Sequence, residues 1–235
     1  MRFDRIVLFL LSIFLILSPF AGCRIATAAT TDVIESSQAS LLDELTFLGD
    51  STTAHMQLRS SLRKEQVWAA KNRYLNLDSR IAYAKIVAPD TGEEELIANV
   101  AARLRPRYLV ITLGVDYGVY YYRERLDVFR YYYERLISDI QSASPQTRII
   151  LQSIFPVGRS SSVITNEMIR NANAVICALA RDRALCFVDQ TPVLTDKEGY
   201  LRDEYCYSED GIHLTEAAYT AILSHLTTLE LEIRG

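Results

Sequence analysis

Short apolar runs alternate with segments of helical character along most of this chain, and this alternation restricts the fold more than any other feature of the sequence. A run without regularly alternating polar residues is typical of a parallel strand that is buried on both faces. Strands separated by helices form βαβ units, whose right-handed crossovers produce a three-layer α/β/α sandwich. The sequence therefore predicts an α/β protein with a mostly parallel, flavodoxin-like sheet. The predicted strands are residues 45–48, 108–113, 148–154 and 185–188, with a short strand at 66–69 and a strand or hairpin arm within 81–87.

Helices are predicted between these strands and at the end of the chain. The helix that we expect at 93–104 has acidic residues in its first turn, where they interact favourably with the helix dipole. In a sheet of this kind, ligands bind at the carboxyl ends of the strands. Polar residues that directly follow a strand are therefore the candidates for function. The predicted helices are residues 51 to about 62, 93–104, 122–142, 166–182 and 215–229.

The first 28 residues have the pattern of an export signal. Arg2 and Arg5 precede an apolar run at 6–20, which is too short for a comfortable membrane span but has the length of a signal-peptide core. An Ala-x-Ala site at 26–28 would release a chain that begins at Ala29. The segment 20–23 resembles a bacterial lipobox, and cleavage there would leave Cys23 to carry lipid. A third alternative is an uncleaved N-terminal anchor, and each of the three predicts a secreted or cell-surface bacterial protein.

The remaining chain reads as a linker followed by one domain. Residues 29–40 are mostly small and polar, as in a linker, and residues 41–235 suffice for a single domain of ordinary size. The formal net charge is −4, which argues against a nucleic-acid partner because such partners require a basic face. Three cysteines remain if Cys23 is removed or lipidated, and an odd number does not imply a disulfide framework. Cysteine and histidine spacing suggests no metal site.

Two short motifs provide the residues for nucleophilic catalysis. Gly-Asp-Ser at 49–51 ends the first predicted strand, and Asp210 lies three residues before His213. Ser51, Asp210 and His213 supply a nucleophile, an orienting acid and a base, in that order along the chain. The Ser51 N–H is also an unpaired donor at a helix start and can stabilise an oxyanion. The alternative interpretation is that Ser51 caps the helix and that Asp210 and Gly211 form an ordinary turn.

The combination of these motifs resembles the SGNH, or GDSL-type, hydrolase family over about residues 43–232. The resemblance rests on residues 49–51, 113–116 and 210–214, and residues 150–156 look like members from Gram-positive bacteria. It implies the SGNH hydrolase fold and an esterase, lipase or deacetylase that needs no metal or organic cofactor. In this family the serine is the nucleophile, so the resemblance assigns that role to Ser51. It makes His213 the base and Asp210 the residue that orients it.

The sequence departs from the family at the groups that stabilise the oxyanion. The third block of the family is usually Gly-x-Asn, but Asp116 stands where the asparagine is expected. An ionised carboxylate cannot donate a hydrogen bond and repels a developing negative charge. The second block usually supplies a glycine N–H, whereas residues 71–78 contain no glycine. The residues expected to bind the oxyanion or the substrate are Ser51, Gly114, Asp116, Asn72 and Asn76.

We expect an exported serine esterase that hydrolyses small acyl esters, with O-acetyl groups on carbohydrate as one substrate class. The partner is then a small acyl ester or an acylated carbohydrate, and the membrane is reached only through an N-terminal anchor or a lipid on Cys23. Asp116 motivates a different hypothesis, a catalytically impaired glycan-binding surface protein. An acyltransferase that uses the same triad is a third, because the sequence does not distinguish water from a sugar hydroxyl as acceptor.

Several aromatic and histidine residues have weaker signals. Tyrosines at 117, 120–122 and 131–133 are expected mainly to cover the core, although rings near the sheet edge can also stack on a sugar. His55 lies one helical turn after Ser51, where it packs against neighbours or lines the cleft. His225, in the last predicted helix, is expected at the surface.

Overall fold

The computed structural model describes residues 38–207 and 209–235. The predicted export signal and most of the predicted linker lie outside this part of the chain. None of the helices that the structure describes is both long enough and apolar enough to cross a membrane.

The central layer is a parallel sheet of five strands. Its order is β2-β1-β5-β6-β7, which confirms the predicted flavodoxin-like topology. The other two strands, β3 and β4, form a separate antiparallel hairpin. The strands are β1 (Leu45–Gly49), β2 (Val67–Trp68), β3 (Lys85–Val87), β4 (Glu94–Leu96), β5 (Tyr108–Thr112), β6 (Arg148–Gln152) and β7 (Cys186–Val188).

Helices cover both faces of this sheet. Side chains alternate along β5, so that Leu109 and Ile111 join one apolar core and Tyr108 and Val110 join the other. The core that contains Leu109 is completed by α4, α5 and α6, and the core that contains Tyr108 by α1, α8 and α9. The result is the predicted three-layer α/β/α sandwich. The helices are α1 (Gln38–Glu44), α2 (Ser51–Ala54), α3 (Met56–Arg59), α4 (Ile97–Leu104), α5 (Leu126–Ala143), α6 (Asn166–Asp182), α7 (Thr191–Leu194), α8 (Glu216–Thr228) and α9 (Glu230–Arg234).

Three predicted helices were wrong at their ends or in their interior. The helix expected from residue 93 begins only at Ile97, because Glu94 to Leu96 pair with β3 instead. The helix expected from residue 122 begins at Leu126, and turns occupy residues 116–124. The helix expected over 51–62 divides at His55 into α2 and α3 and ends at Arg59. Residues 38–40, which the composition places in the linker, belong to α1.

The carboxyl ends of β1 and β5 approach each other closely. A Cβ atom at Gly49 would lie 2.1 Å from the backbone oxygen of Thr112, so only glycine fits at the end of β1. Beyond this point, Leu113 donates its N–H to the buried hydroxyl of Tyr133 in α5, at 3.1 Å. These contacts bring the residues after β1 and the residues after β5 to one edge of the sheet.

Candidate active site

Ser51 is the first residue of α2 and is nearly buried, with 4% of its surface exposed. The residue that caps the helix is Asp50, whose Oδ1 accepts hydrogen bonds from the N–H and the hydroxyl of Thr52. The interpretation of Ser51 as a simple cap was therefore wrong. With the capping position taken by its neighbour, the Ser51 hydroxyl is available for other partners.

His213 contacts both of the other residues that the motifs single out. Its Nε2 lies 3.2 Å from Ser51 Oγ, and its Nδ1 lies 2.5 Å from Asp210 Oδ2. The second oxygen of Asp210 accepts the backbone N–H groups of Ile212 and His213, at 2.7 and 2.9 Å. Burial raises the pKa of Asp210, but the hydrogen bonds from His213 and the backbone outweigh it, so the pKa lies below its usual value. An ionised Asp210 holds the imidazole with Nε2 directed at the serine.

Arg59 in α3 holds the loop that carries Asp210 and His213. Its guanidinium donates to the backbone oxygen of Leu214 at 3.0 Å and lies 4.1 Å from the centre of the Tyr207 ring. Tyr207 in turn donates its N–H to the backbone oxygen of His213. The contact therefore fixes the imidazole relative to the helix that follows Ser51.

Asp116 also lies against Ser51. Its Oδ2 accepts the Ser51 N–H at 2.9 Å, and its Oδ1 lies 2.6 Å from Ser51 Oγ. Burial raises the pKa of Asp116, although the two hydrogen bonds from Ser51 oppose the shift. The carboxyl group thus occupies both hydrogen-bonding groups of the candidate nucleophile.

Gly114 is held by a second buried carboxyl group, that of Asp50. The N–H groups of Gly114 and Val115 both donate to Asp50 Oδ2 at 2.9 Å, so the Gly114 N–H is engaged away from Ser51. Burial, and then the charge of Asp116, raise the pKa of Asp50 to about 7. The sequence analysis missed this role of Asp50. The available signal was a carboxylate between a buried strand and the helix that it caps.

Asn72 and Asn76 line a cleft outside the group of residues that contact Ser51. Asn72 Oδ1 accepts the N–H of Tyr74 at 3.1 Å, which commits this side chain to a local turn. Both asparagines line a cleft of about 510 Å³ between the loop after β2 and the β3–β4 hairpin. The Leu77 N–H donates to the backbone oxygen of Tyr117 at 3.2 Å. Tyr117 directly follows Asp116, so this backbone contact links the loop after β2 to the loop that carries Asp116.

Two further histidines lie at different depths. The His55 ring packs 4.6 Å from the His213 ring, and its buried Nδ1 has no hydrogen-bond partner in the described part of the chain. Burial, and then the proximity of His213, lower the pKa of His55 to about 4, so it is neutral near pH 7.

The prediction that His225 lies at the surface was wrong. It is only 8% exposed, and its Nδ1 donates to Gln190 Oε1 at 2.9 Å.

The tyrosines range from fully buried to exposed. Tyr133 is fully buried in the core, and Tyr122 and Tyr132 are partly buried and pack against it, as expected. Tyr120, Tyr121 and Tyr131 are exposed instead. Tyr121 stacks on Tyr117 with the ring centres 4.0 Å apart. The loop after Asp116 therefore presents aromatic surface next to the site.

The arrangement has the geometry for acyl transfer. A serine hydroxyl, an imidazole and a carboxylate lie within hydrogen-bonding reach of one another at the carboxyl edge of the sheet. No group of three or more His, Cys, Asp or Glu side chains in residues 38–207 and 209–235 is arranged to hold a metal ion.

Residues 47–221 match the model of the GDSL-like Lipase/Acylhydrolase family. This match includes Ser51, Asp116, Asp210 and His213, and it spans more than half of the chain. No curated protein sequence is significantly similar to the chain.

Solved structures with low sequence identity share the fold. A chain from Bacteroides fragilis NCTC 9343, provisionally described as an acylhydrolase, is 16% identical, with a TM-score of 0.53 over 87% of this chain and 100% of that one. A chain from Streptococcus pneumonia, provisionally described as a platelet activating factor, is 20% identical, with a TM-score of 0.52 over 83% and 90%. A lipolytic protein of the G-D-S-L family from Desulfitobacterium hafniense DCB-2, also a provisional description, is 14% identical, with a TM-score of 0.51 over 79% and 98%.

We expect Arg59→Ala to slow the reaction of Ser51 with a fluorophosphonate by about tenfold, an activation free-energy change of about 1.4 kcal/mol. The loss of the contacts with Leu214 and Tyr207 lets the His213 loop move away from Ser51. Labelling rates and amide hydrogen exchange of residues 207–214 measure the two effects. Arg148→Ala is the matched control, because Arg148 also combines a backbone-oxygen contact with a tyrosine ring, at the opposite edge of the sheet. Equal labelling rates for both variants would show that Arg59 does not position His213.

Proposed function

Because this chain belongs to the GDSL-like lipase/acylhydrolase family, we propose that it is an exported serine esterase that hydrolyses small acyl esters. One observation carries the proposal. Ser51 Oγ, His213 and Asp210 form a continuous relay, with 3.2 Å between Oγ and Nε2 and 2.5 Å between Nδ1 and Oδ2. Such a relay supplies an activated nucleophile together with a proton acceptor and donor for the leaving group.

In the proposed reaction, Ser51 Oγ attacks the carbonyl carbon of the ester while His213 Nε2 accepts the hydroxyl proton. Asp210 stabilises the imidazolium that forms. His213 then returns the proton to the departing alcohol, which leaves an acyl group on Ser51. A water molecule, deprotonated by His213, attacks this acyl group and releases the free acid.

The leaving alcohol is proposed to be a carbohydrate, on the basis of the cleft that Asn72 and Asn76 line. Its volume of about 510 Å³ lies within the usual range for small-molecule sites. Tyr74 and Tyr83 line it with 60% and 74% of their surfaces exposed. Arg80 pairs with Asp78 at 2.6 Å and Lys71 with Glu94 at 3.8 Å, and Lys85 also lines the cleft. Exposed rings together with amide groups suit a polyhydroxylated ligand.

A second candidate function is glycan binding without efficient catalysis. The observation that favours it is the Asp116 carboxyl group, which accepts the Ser51 N–H that an oxyanion would need. Reactivity of Ser51 distinguishes the two candidates, because a binding protein does not require an activated serine.

We expect Ser51→Ala and His213→Ala each to reduce hydrolysis of p-nitrophenyl acetate on the order of 10⁴-fold or more, since triad residues act as a unit. Asp210→Ala should lose less, because Asp210 orients the base and does not attack. Turnover, fluorophosphonate labelling and thermal unfolding are measured together, with Ser224→Ala, an exposed serine of α8, as control. Retained hydrolysis in folded Ser51→Ala would overturn the assignment of the nucleophile. An unlabelled wild-type Ser51 would favour the glycan-binding candidate.

The cleft predicts a difference between two esters. Tyr74→Ala and Tyr83→Ala should each raise KM for glucose pentaacetate by about fivefold, which corresponds to about 1 kcal/mol for one ring contact. Their KM for p-nitrophenyl acetate, which has no sugar, should not change. Tyr131→Ala is the matched control, since Tyr131 is similarly exposed at 59% but lies on α5 outside the cleft. An equal effect on both esters would argue against a carbohydrate subsite.

Export is proposed from the N-terminal sequence, which places basic residues before an apolar run and two processing sites after it. Mass spectrometry of the native N-terminus is the measurement. We expect either a lipid-modified Cys23, a chain that begins at Ala29, or an intact chain in the membrane fraction. The intact chain in the cytosol would contradict all three forms of the proposal.

A further inference from the structure

Ser51 directs both of its hydrogen-bonding groups at the same carboxyl group. Its N–H lies 2.9 Å from Asp116 Oδ2, and its Oγ lies 2.6 Å from Asp116 Oδ1 and 3.2 Å from His213 Nε2. The hydroxyl therefore has two neighbours that can accept its single proton, and the carboxyl oxygen is the closer one.

The protonation state of Asp116 decides which neighbour receives that proton. An ionised carboxylate only accepts hydrogen bonds, so the Ser51 hydroxyl must donate to Oδ1 and cannot donate to His213. A protonated Asp116 donates to Ser51 Oγ through Oδ1, while Oδ2 still accepts the Ser51 N–H. The Ser51 hydroxyl proton is then free to point at His213 Nε2, as nucleophilic attack requires.

The same proton matters for the oxyanion. When Ser51 attacks, negative charge develops on the acyl oxygen, which must take over the Ser51 N–H from Asp116. An ionised carboxylate beside that oxygen repels it, whereas a protonated one donates a hydrogen bond to it.

We propose that Asp116 is a further catalytic residue of the ester hydrolysis and that it acts in its protonated form. Protonated Asp116 directs the Ser51 hydroxyl to His213 and donates to the oxyanion, and its ionisation closes the site. This role rests on the proposed function as an esterase. No covalent bond to Asp116 forms, and its proton is retained through the reaction.

The surroundings of Asp116 favour the proton. No lysine or arginine of the described residues forms an ion pair with Asp116. The two hydrogen bonds from Ser51 oppose the proton, and so, to a smaller extent, does His213 on the loop that also carries Asp210. His55 packs against the His213 ring and is neutral near pH 7. Arg59 and Arg73 act electrostatically on His55. Burial is the largest cause of the raised pKa of Asp116.

The sign of the pH dependence follows directly. Because its pKa is raised, Asp116 keeps its proton to a higher pH than an ordinary carboxyl group and loses it as the pH rises further. Hydrolysis should therefore decline on the alkaline side in the wild type.

The test uses the full chain and the variants Asp116→Asn and Asp116→Ala. An amide offers one donor and one acceptor to Ser51 at every pH, so it imitates protonated Asp116 permanently. The alanine variant removes both donor and acceptor. Asp127→Asn, an exposed carboxyl group on α5, is the control. Turnover of p-nitrophenyl acetate and fluorophosphonate labelling are measured from about pH 5 to about pH 9, where shifted carboxyl groups and histidines titrate, with thermal unfolding to confirm the fold.

We expect Asp116→Asn to lack the alkaline decline and to exceed the wild type at least about tenfold at the alkaline end. Asp116→Ala should be slower than Asp116→Asn at every pH, because it lacks the donor, and Asp127→Asn should follow the wild type. If folded Asp116→Asn has the same pH profile as the wild type, the proposed role of Asp116 is overturned. Labelling of Ser51 in that case still supports the esterase. If Asp116→Ala is as fast as Asp116→Asn, Asp116 only obstructs Ser51 and the proposed role as a donor is overturned. Absence of labelling in both wild type and Asp116→Asn would overturn the role together with the proposed function.

Discussion

The buried carboxyl group of Asp50 connects the two loops on which the rest of the site depends. It caps α2 through Thr52 and accepts the N–H groups of Gly114 and Val115. Burial of a carboxyl group is unfavourable unless hydrogen bonds offset the lost hydration, and these donors do so. Because Asp50 precedes Ser51 and its partners precede Asp116, the nucleophile and the carboxyl group beside it cannot change position independently.

Two carboxyl groups flank the Ser51–His213 pair, and their environments separate their chemistry. Asp210 lies at the rim, accepts hydrogen bonds from its own loop and has a lowered pKa. Asp116 lies deeper, where burial raises the pKa. Titratable groups whose pKa values are driven apart in this way can hold opposite protonation states at one pH. Asp210 is then suited to stabilise positive charge on His213, and Asp116 to donate to negative charge near Ser51.

Local patterns predicted the regular elements well where burial is two-sided. The apolar runs that became β1, β5, β6 and β7 were identified within a few residues, because a strand buried on both faces must be apolar throughout. The errors lie where contacts with another element override a local preference. Glu94 to Leu96 resemble the acidic first turn of a helix but pair with β3, and polar His225 is buried because Gln190 supplies its partner.

The sequence by itself determined the topology, the order of Ser51, Asp210 and His213, and the edge of the sheet at which they meet. These follow from strand and helix periodicity, since the carboxyl ends of parallel strands share one edge. Only the tertiary structure decided that Asp116 faces Ser51, that Asp50 takes the Gly114 N–H, and that Arg59 holds the His213 loop. Each of these contacts joins residues at least 64 positions apart, and local sequence patterns contain no information on the direction in which such side chains meet.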